Sequence, residues 1–331
     1  MILGIESSCD ETAVAIVRDG QQILTNQIRS QIDLHRVHGG VVPELASREH
    51  LNSIHHLIEA ALAEADLSPE AIDGLAVTQG PGLSGALLVG LATAQSLAWL
   101  WNKPLMGINH LEGHIYANFL AFGDQIRFPL LVLLVSGGHT LLIEMHEHGS
   151  YTLVGTTRDD AIGEAFDKVA RLLGLPYPGG PEVDRQARSG NSAAFDFPRS
   201  LPDSYDFSFS GLKTAVLYAL RKIDGPPPVA DICASFQQAA IDSVLDKTFR
   251  YARARGIQQV SITGGVSANS LLRSRLQALQ REFEVFMPPL ALCTDNAAMI
   301  AACAAYRWQP VSALNLTVRP RWPLVTGTTA G

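Results

Sequence analysis

Apolar and polar residues alternate in blocks along this chain, and the order of the blocks repeats. Ile2 to Ile5 is a short apolar strand, and a polar turn, Glu6 to Glu11, leads into a second strand, Ala13 to Val17. Asp19-Gly20 is a hairpin signal, so Gln22 to Ile28 continues as a third strand. A His38-Gly39-Gly40 loop precedes Pro43 to Arg48, after which apolar residues recur at Leu51, Ile54, Leu57, Ile58, Ala61 and Leu62. That is the period of a helix. Asp73 to Thr78 reads as a strand and Gly80-Pro81-Gly82 as a tight turn. Ser84 to Trp101 reads as a long apolar helix and Leu105 to Ile108 as the next strand.

The second half repeats that order. Leu130 to Val135, Leu141 to Met145 and Tyr151 to Thr157 read as three strands. Helical segments follow at Glu164 to Leu173, Gly211 to Arg221 and Asp231 to Arg255. Gln259 to Thr263 is a strand, and Gly264 to Asn269 turns into a helix reaching Glu282. Val285 to Met287 is a short strand before a last helix, Asp295 to Trp308. The pattern predicts an α/β fold of two similar domains, residues 1–128 and 129–294, the first completed by the C-terminal segment 295–325. Residues 176–210, rich in Pro and Gly at their start, read as an irregular insertion in the second domain. This element order is that of the actin, Hsp70 and sugar-kinase (ASKHA) superfamily, which predicts a nucleotide cleft between the domains.

Composition narrows the classes. The chain has 331 residues, long enough for two cores, and a formal net charge of -7, which gives no sign of a nucleic-acid surface. Four scattered cysteines with no CxxC pair read as reduced thiols in a cytoplasmic protein. Acidic residues at Glu6, Asp10 and Glu11 interrupt the N-terminus too early for a signal peptide, so none is expected. Ser, Thr and Gln within Ser84 to Trp101 favour a buried helix over a membrane span.

The candidate chemistry begins at Asn109-His110-Leu111-Glu112-Gly113-His114. A helix starting at His110 puts both imidazoles on one face, one turn apart. Neutral imidazole suits a divalent transition metal, and a third ligand is then expected from elsewhere. Cys293-Thr294-Asp295-Asn296 opens the last helix, and Asp295 is either a cap or first-turn acid of that helix or the missing carboxylate ligand. Two glycine turns could cradle an anion: Val135-Ser136-Gly137-Gly138-His139-Thr140, and Gly264 to Asn269 at a helix N-terminus, where Ser267 is the alternative N-cap. Asp10 and Glu11 sit in the first hairpin turn, and Asp167 lies inside a helix whose first turn is acidic.

Together these stretches resemble one family. They include Ile5 to Thr12, Gly39 to Arg48, Gly80 to Leu83, His110 to His114, Leu134 to Thr140 and Gly163 to Lys168. Tyr177 to Pro181, Phe207 to Thr214, Gly264 to Asn269, Asp295 to Ala297 and Val318 to Pro323 complete the set. The chain resembles, over essentially its whole length, the bacterial tRNA N6-adenosine threonylcarbamoyltransferases, formerly called O-sialoglycoprotein endopeptidases. The resemblance implies transfer of a threonylcarbamoyl group from threonylcarbamoyl-adenylate to N6 of the adenosine just 3′ of the anticodon, in tRNAs reading codons that start with A. It implies a metal on His110, His114 and Asp295, usually iron(II), with zinc or magnesium as alternatives in the isolated protein. Implied substrate contacts are Leu134, Val135, Ser136, Gly137, Gly138, Asp167, Gly180, Asp184 and Asn269; the residues flanking Asp184 are the least distinctive. The resemblance also implies a shorter paralogous subunit and a small P-loop ATPase as partners. No general base stands out, Asp10 and Glu11 being the candidates. A sugar kinase or ATPase of the same fold would need no histidine pair, and a zinc peptidase helix would need Glu where Leu111 stands.

Overall fold

The structure, a computed structural model, describes residues 1–325. In the first unit, residues 1–126 and 288–325, five strands form one sheet. They are β1 (Ile2–Glu6), β2 (Glu11–Arg18), β3 (Gln22–Ser30), β4 (Gly74–Gly80) and β5 (Leu105–Asn109), in the order β3-β2-β1-β4-β5. The hairpin-linked pairs β1–β2 and β2–β3 are antiparallel, and β1–β4 and β4–β5 are parallel. The helices α1 (Ile32–Arg36), α2 (Pro43–Glu64) and α3 (Ser84–Trp101) lie between these strands in the chain, and α4 (His110–Phe122) follows β5.

The second unit, residues 127–287, contains β6 (Leu130–Val135), β7 (Thr140–Glu147), β8 (Ser150–Thr156), α5 (Ile162–Leu172), α6 (Gly179–Ala187), α7 (Ser210–Arg221), α8 (Val229–Arg255), β9 (Gln259–Thr263), α9 (Ser270–Leu279) and β10 (Glu284–Phe286). Its sheet runs β10-β9-β6-β7-β8, with β6–β7 and β7–β8 antiparallel and β6–β9 and β9–β10 parallel. Each sheet therefore has the same strand order and the same polarity. The last helix, α10 (Ala297–Tyr306), returns to the first unit.

The sequence pattern explains these cores. β6, at Leu130 to Val135, is buried along its whole length, as an unbroken apolar run requires at the centre of a sheet covered on both faces. In α5 the buried residues Ile162, Ala165, Phe166, Val169 and Ala170 follow helical spacing and pack into the second core. α10 is buried from Ala297 to Ala304. It lies so close to β1 that a Cβ on Gly4 would collide with the carbonyl oxygen of Ala297.

Three expectations need correction. The helix read as buried, α3, buries one face (Ala86, Leu87, Leu91, Ala94) and exposes Leu88, Trp99 and Leu100 on the other. It is long and apolar enough to cross a membrane by length and composition, but one side of it is packed into the first core. The insertion is not wholly irregular, since Gly179–Ala187 is helical. The rest is tied down by polar contacts: Phe207 pairs with Thr157 beside β8, and Asp159 accepts from the Phe209 and Ser210 N–H groups and both neighbouring serine hydroxyls. Finally, α10 begins at Ala297, two residues later than the pattern suggested, because Asn296 is its cap.

The Gly4 contact gives a test. Gly4→Ala should destabilise the chain by about 1–3 kcal/mol, because the backbone of α10 cannot yield easily. Gly211→Ala, whose new Cβ would have its nearest neighbour 3.9 Å away, should leave the thermal midpoint unchanged or slightly raised. Thermal unfolding of both variants reads the difference.

Candidate functional site

Asn109 ends β5 and caps α4, its side-chain oxygen accepting from the Leu111 N–H at 2.9 Å. The cap starts the helix at His110, so His110 and His114 share a face one turn apart. Their rings meet edge to face with centroids 4.7 Å apart. Gly113, between them, lets α10 come close: a Cβ there would lie 2.7 Å from Ile300 Cδ1.

α10 brings the third group. Asn296 is extended and accepts from the Met299 N–H at 3.0 Å, so the capping role falls to Asn296 and the Asp295 carboxylate stays outside the helix. Its Oδ1 lies 3.1 Å from His114 Nε2 and 3.5 Å from His110 Nε2. One ligand atom from each of the three side chains falls within 4.8 Å of the others. Two imidazole nitrogens and one carboxylate oxygen, two of the side chains buried, form a donor set that fits a divalent transition metal and leaves positions open.

A carboxylate that sequence reasoning did not assign stands behind the pair. Glu6, at the end of β1, is fully buried. Its Oε2 lies 3.0 Å from His110 Nδ1 and accepts from the Thr78 hydroxyl at 2.5 Å, while Oε1 accepts from the Ser8 N–H at 2.5 Å. Burial opposes charge on His110, but the carboxylates of Asp295 and Glu6 outweigh it and push its pKa up to about 9. Burial likewise opposes charge on Glu6, yet the His110 cation holds its pKa below the usual carboxylate value. Glu11 is pushed up to about 10 by burial and by the nearby charges of Asp295 and Asp10. Both causes favour the protonated form of Glu11 in the metal-free chain. Burial and the Asp10 and Asp295 charges also push the Cys9 thiol far up, so it is no thiolate ligand.

The second unit gathers the other candidates. Leu134 and Val135 are buried at the end of β6, and Ser136, Gly137 and Gly138 form the turn into β7. Added Cβ atoms on Gly137 and Gly138 would meet nothing within 4 Å. The start of α5 presses on this turn, because a Cβ on Gly163 would lie 2.6 Å from Ser136 O. One turn further along α5, Asp167 Oδ1 accepts from the Gly179 N–H at 2.8 Å, next to Gly180. Asn269 caps α9 by accepting from the Leu272 N–H at 3.0 Å, so the cap is Asn269 and not Ser267. Asp184 Oδ1 accepts from the Ser270 hydroxyl at 2.7 Å and from Asn269 Nδ2 at 3.3 Å, and Gln237 Oε1 accepts from Asn269 at 2.8 Å. Gly264 has φ +90 and lies against Val135 O, which brings the second glycine turn alongside the first.

Two sheets of identical strand order define a protein of the actin, Hsp70 and sugar-kinase architecture. The solved structures agree on the fold. Component A of (R)-2-hydroxyglutaryl-CoA dehydratase from Acidaminococcus fermentans superposes with a TM-score of 0.53 at 17% identity, over 92% of this chain and 97% of its own. Full-length HypF in its phosphate- and nucleotide-bound form gives 0.62 at 13% identity, over 92% of this chain and 46% of its own. Sequence goes further. The family described as TsaD, tRNA N6-adenosine threonylcarbamoyltransferase, matches residues 22–302. The protein of that name from Thermomicrobium roseum is 51% identical over 358 aligned residues, covering 99% of this chain and 98% of its own. The one from Bacillus thuringiensis (strain Al Hakam) is 52% identical over 332 aligned residues, covering 97% and 95%. The chain belongs to the tRNA N6-adenosine threonylcarbamoyltransferase family, and it is an enzyme, a transferase.

Two measurements test this geometry. Nuclear magnetic resonance of the metal-free chain should show the His110 imidazole titrating near pH 9. Its folded pKa is raised above the ordinary 6.5, so its contribution to stability is full below that value and is lost as pH rises through about 9. Separately, Asp184→Ala leaves the Ser270 N–H and hydroxyl without their acceptor and should cost about 1–3 kcal/mol in thermal unfolding.

Proposed function

We propose that the chain transfers a threonylcarbamoyl group from threonylcarbamoyl-adenylate to N6 of the adenosine just 3′ of the anticodon, in tRNAs reading codons that begin with A. The observation that carries this is the convergence of His110, His114 and Asp295 in a chain of this family. These three residues would hold one divalent metal, and a set of two imidazoles and one carboxylate with open positions favours iron(II) over magnesium. Such an ion, when bound, supplies a Lewis acid able to polarise a carbamoyl or carboxylate oxygen.

The remaining work falls to the protein's own groups. The donor is a mixed carbamic-phosphoric anhydride, already activated, so positioning dominates. In the second unit Leu134, Val135, Ser136, Gly137, Gly138, Asp167, Gly180, Asp184 and Asn269 bind the adenylate. The open space at Gly137, Gly138 and Gly180 supports this for a bulky anion. Asp184, already accepting from Ser270 and Asn269, acts by fixing the Asn269 turn. Asp10 and Glu11 remain the candidates for moving a proton in the first unit. A peptidase reading lacks its base, since Leu111 follows His110 and the Glu112 carboxylate pairs with Arg307.

A net charge of -7 is poorly suited to holding tRNA alone, because affinity comes largely from neutralising phosphates. A shorter paralogous subunit and a small P-loop ATPase are therefore part of this proposal. A cytoplasmic location is also part of it, supported by four free cysteines.

Nucleoside mass spectrometry of tRNA from cells depleted of the protein tests the reading. Threonylcarbamoyladenosine should vanish and return with the wild-type chain but not with His110→Ala/His114→Ala. An unchanged level under full depletion would refute the transfer. Loss of a Lewis acid worth several kcal/mol predicts a fall in kcat/KM on the order of 10³-fold for the double variant. Metal uptake must also displace the His110 proton, so affinity for the ion should rise about tenfold per pH unit from pH 7 and level off near 9.

A further inference from the structure

The geometry points to Glu6 as the positioning residue of the metal centre: it holds His110 with Nδ1–H donated backwards and the Nε2 lone pair facing Asp295. This inference rests on the metal reading above. The two ring nitrogens have separate tasks. Nε2 lies 3.5 Å from Asp295 Oδ1, on the side of the ligand cluster, and Nδ1 lies 3.0 Å from Glu6 Oε2. A neutral imidazole carries one hydrogen, and a ligand nitrogen must not bear it. An ionised carboxylate at Nδ1 accepts that hydrogen and leaves Nε2 bare. A carboxylate behind a ligating histidine fixes both its tautomer and its ring orientation.

Glu6 is itself held in place. Its Oε2 also accepts from the Thr78 hydroxyl, and Oε1 accepts from the Ser8 N–H. Thr78 sits on β4, whose parallel register pairs Val77 with Ile5, so the sheet places the hydroxyl beside the carboxylate. The Ser8 hydroxyl lies 3.2 Å from the same Nδ1. Glu6 is fully buried, and the groups at hydrogen-bond distance from it are the Thr78 hydroxyl, the Ser8 N–H and His110 Nδ1. A glutamine cannot reproduce this. In one orientation its NH₂ meets the Ser8 N–H. In the other it meets His110 Nδ1 and drives the ring hydrogen onto Nε2, the ligand atom.

The test uses the full chain with Co²⁺ as the probe. Glu6→Gln should bind Co²⁺ roughly 10–100-fold more weakly, with a visible absorption band of unchanged shape because the three ligands are the same. In the Zn²⁺-loaded chain, the hydrogen-bonded Nδ1–H proton resonance of His110 should be lost or moved strongly upfield. A purely structural role for Glu6 would not move that resonance. Affinity within twofold of wild type in a folded variant overturns the assignment. So does a band altered as if a ligand had gone, which would make Glu6 a ligand itself. If Glu6→Gln does not fold, Thr78→Val decides: several-fold weaker Co²⁺ binding supports the role, and none overturns it. Wild-type chain whose Co²⁺ affinity is indifferent to His114→Ala overturns the metal reading and this one together.

Discussion

The first unit depends on how closely one buried helix can approach the elements beneath it. α10 is made almost wholly of alanine and other apolar residues, and it is buried from Ala297 to Ala304. Glycine at position 4 of β1 and at position 113 of α4 removes the side chains that would hold it off. Small residues on both sides of a contact allow short backbone distances, and a packed interior transmits any displacement. Asp295 stands at the foot of this helix. Its distance from His110 and His114 is set by the close packing of α10 on β1 and α4, so the donor set is only as accurate as the contact that carries it.

Much of this was readable in the chain. The strands at residues 2–5, 13–17, 130–135 and 259–263 announced themselves by apolar runs between turn residues. The histidine pair announced itself by its spacing after a strand. The exceptions share a cause, which is that each depends on a neighbour distant in sequence. Asp295 and Asn296 are adjacent and both can cap a helix; only the observed extended backbone at Asn296 decides that Asn296 caps and Asp295 is left over. α3 looked buried because Ser, Thr and Gln interrupt a long apolar run, yet Leu88 and Trp99 face outward. Composition cannot report which face finds a core. Glu6 looked like the first residue of a polar turn. Its burial follows from the β1–β4 pairing, and a parallel partner leaves no local trace.

The second unit uses a different economy of contacts. Its glycine turns are placed by backbone proximity, Gly163 against Ser136 and Gly264 against Val135. Its polar side chains, by contrast, bind one another: Asp167 reaches α6, and Asp184 reaches back from α6 to the Asn269 turn. Asp184, whose flanking residues were least informative in the sequence, accepts from Arg188, from Asn269 and from the N–H and hydroxyl of Ser270. A short helix, unrecognised in a stretch that read as irregular, is what gives it a fixed position from which to make these contacts.

The charges of the first unit explain why its site should have two stable states. Glu6 and Asp295 bring two negative charges to a pair of imidazoles in a largely buried pocket. Buried charge of one sign is costly unless it is balanced. In the metal-free chain a proton on His110 does part of that balancing, which is why burial fails to keep the ring neutral and its pKa rises to about 9. Glu11, facing the same carboxylates, takes a proton for the same reason. A divalent cation held by His110, His114 and Asp295 would balance both negative charges and would take the lone pair that the proton had occupied. Proton and metal are thus alternative answers to one electrostatic demand. The carboxylate best placed to arbitrate between them is the one that touches His110 on the side away from the ligand cluster.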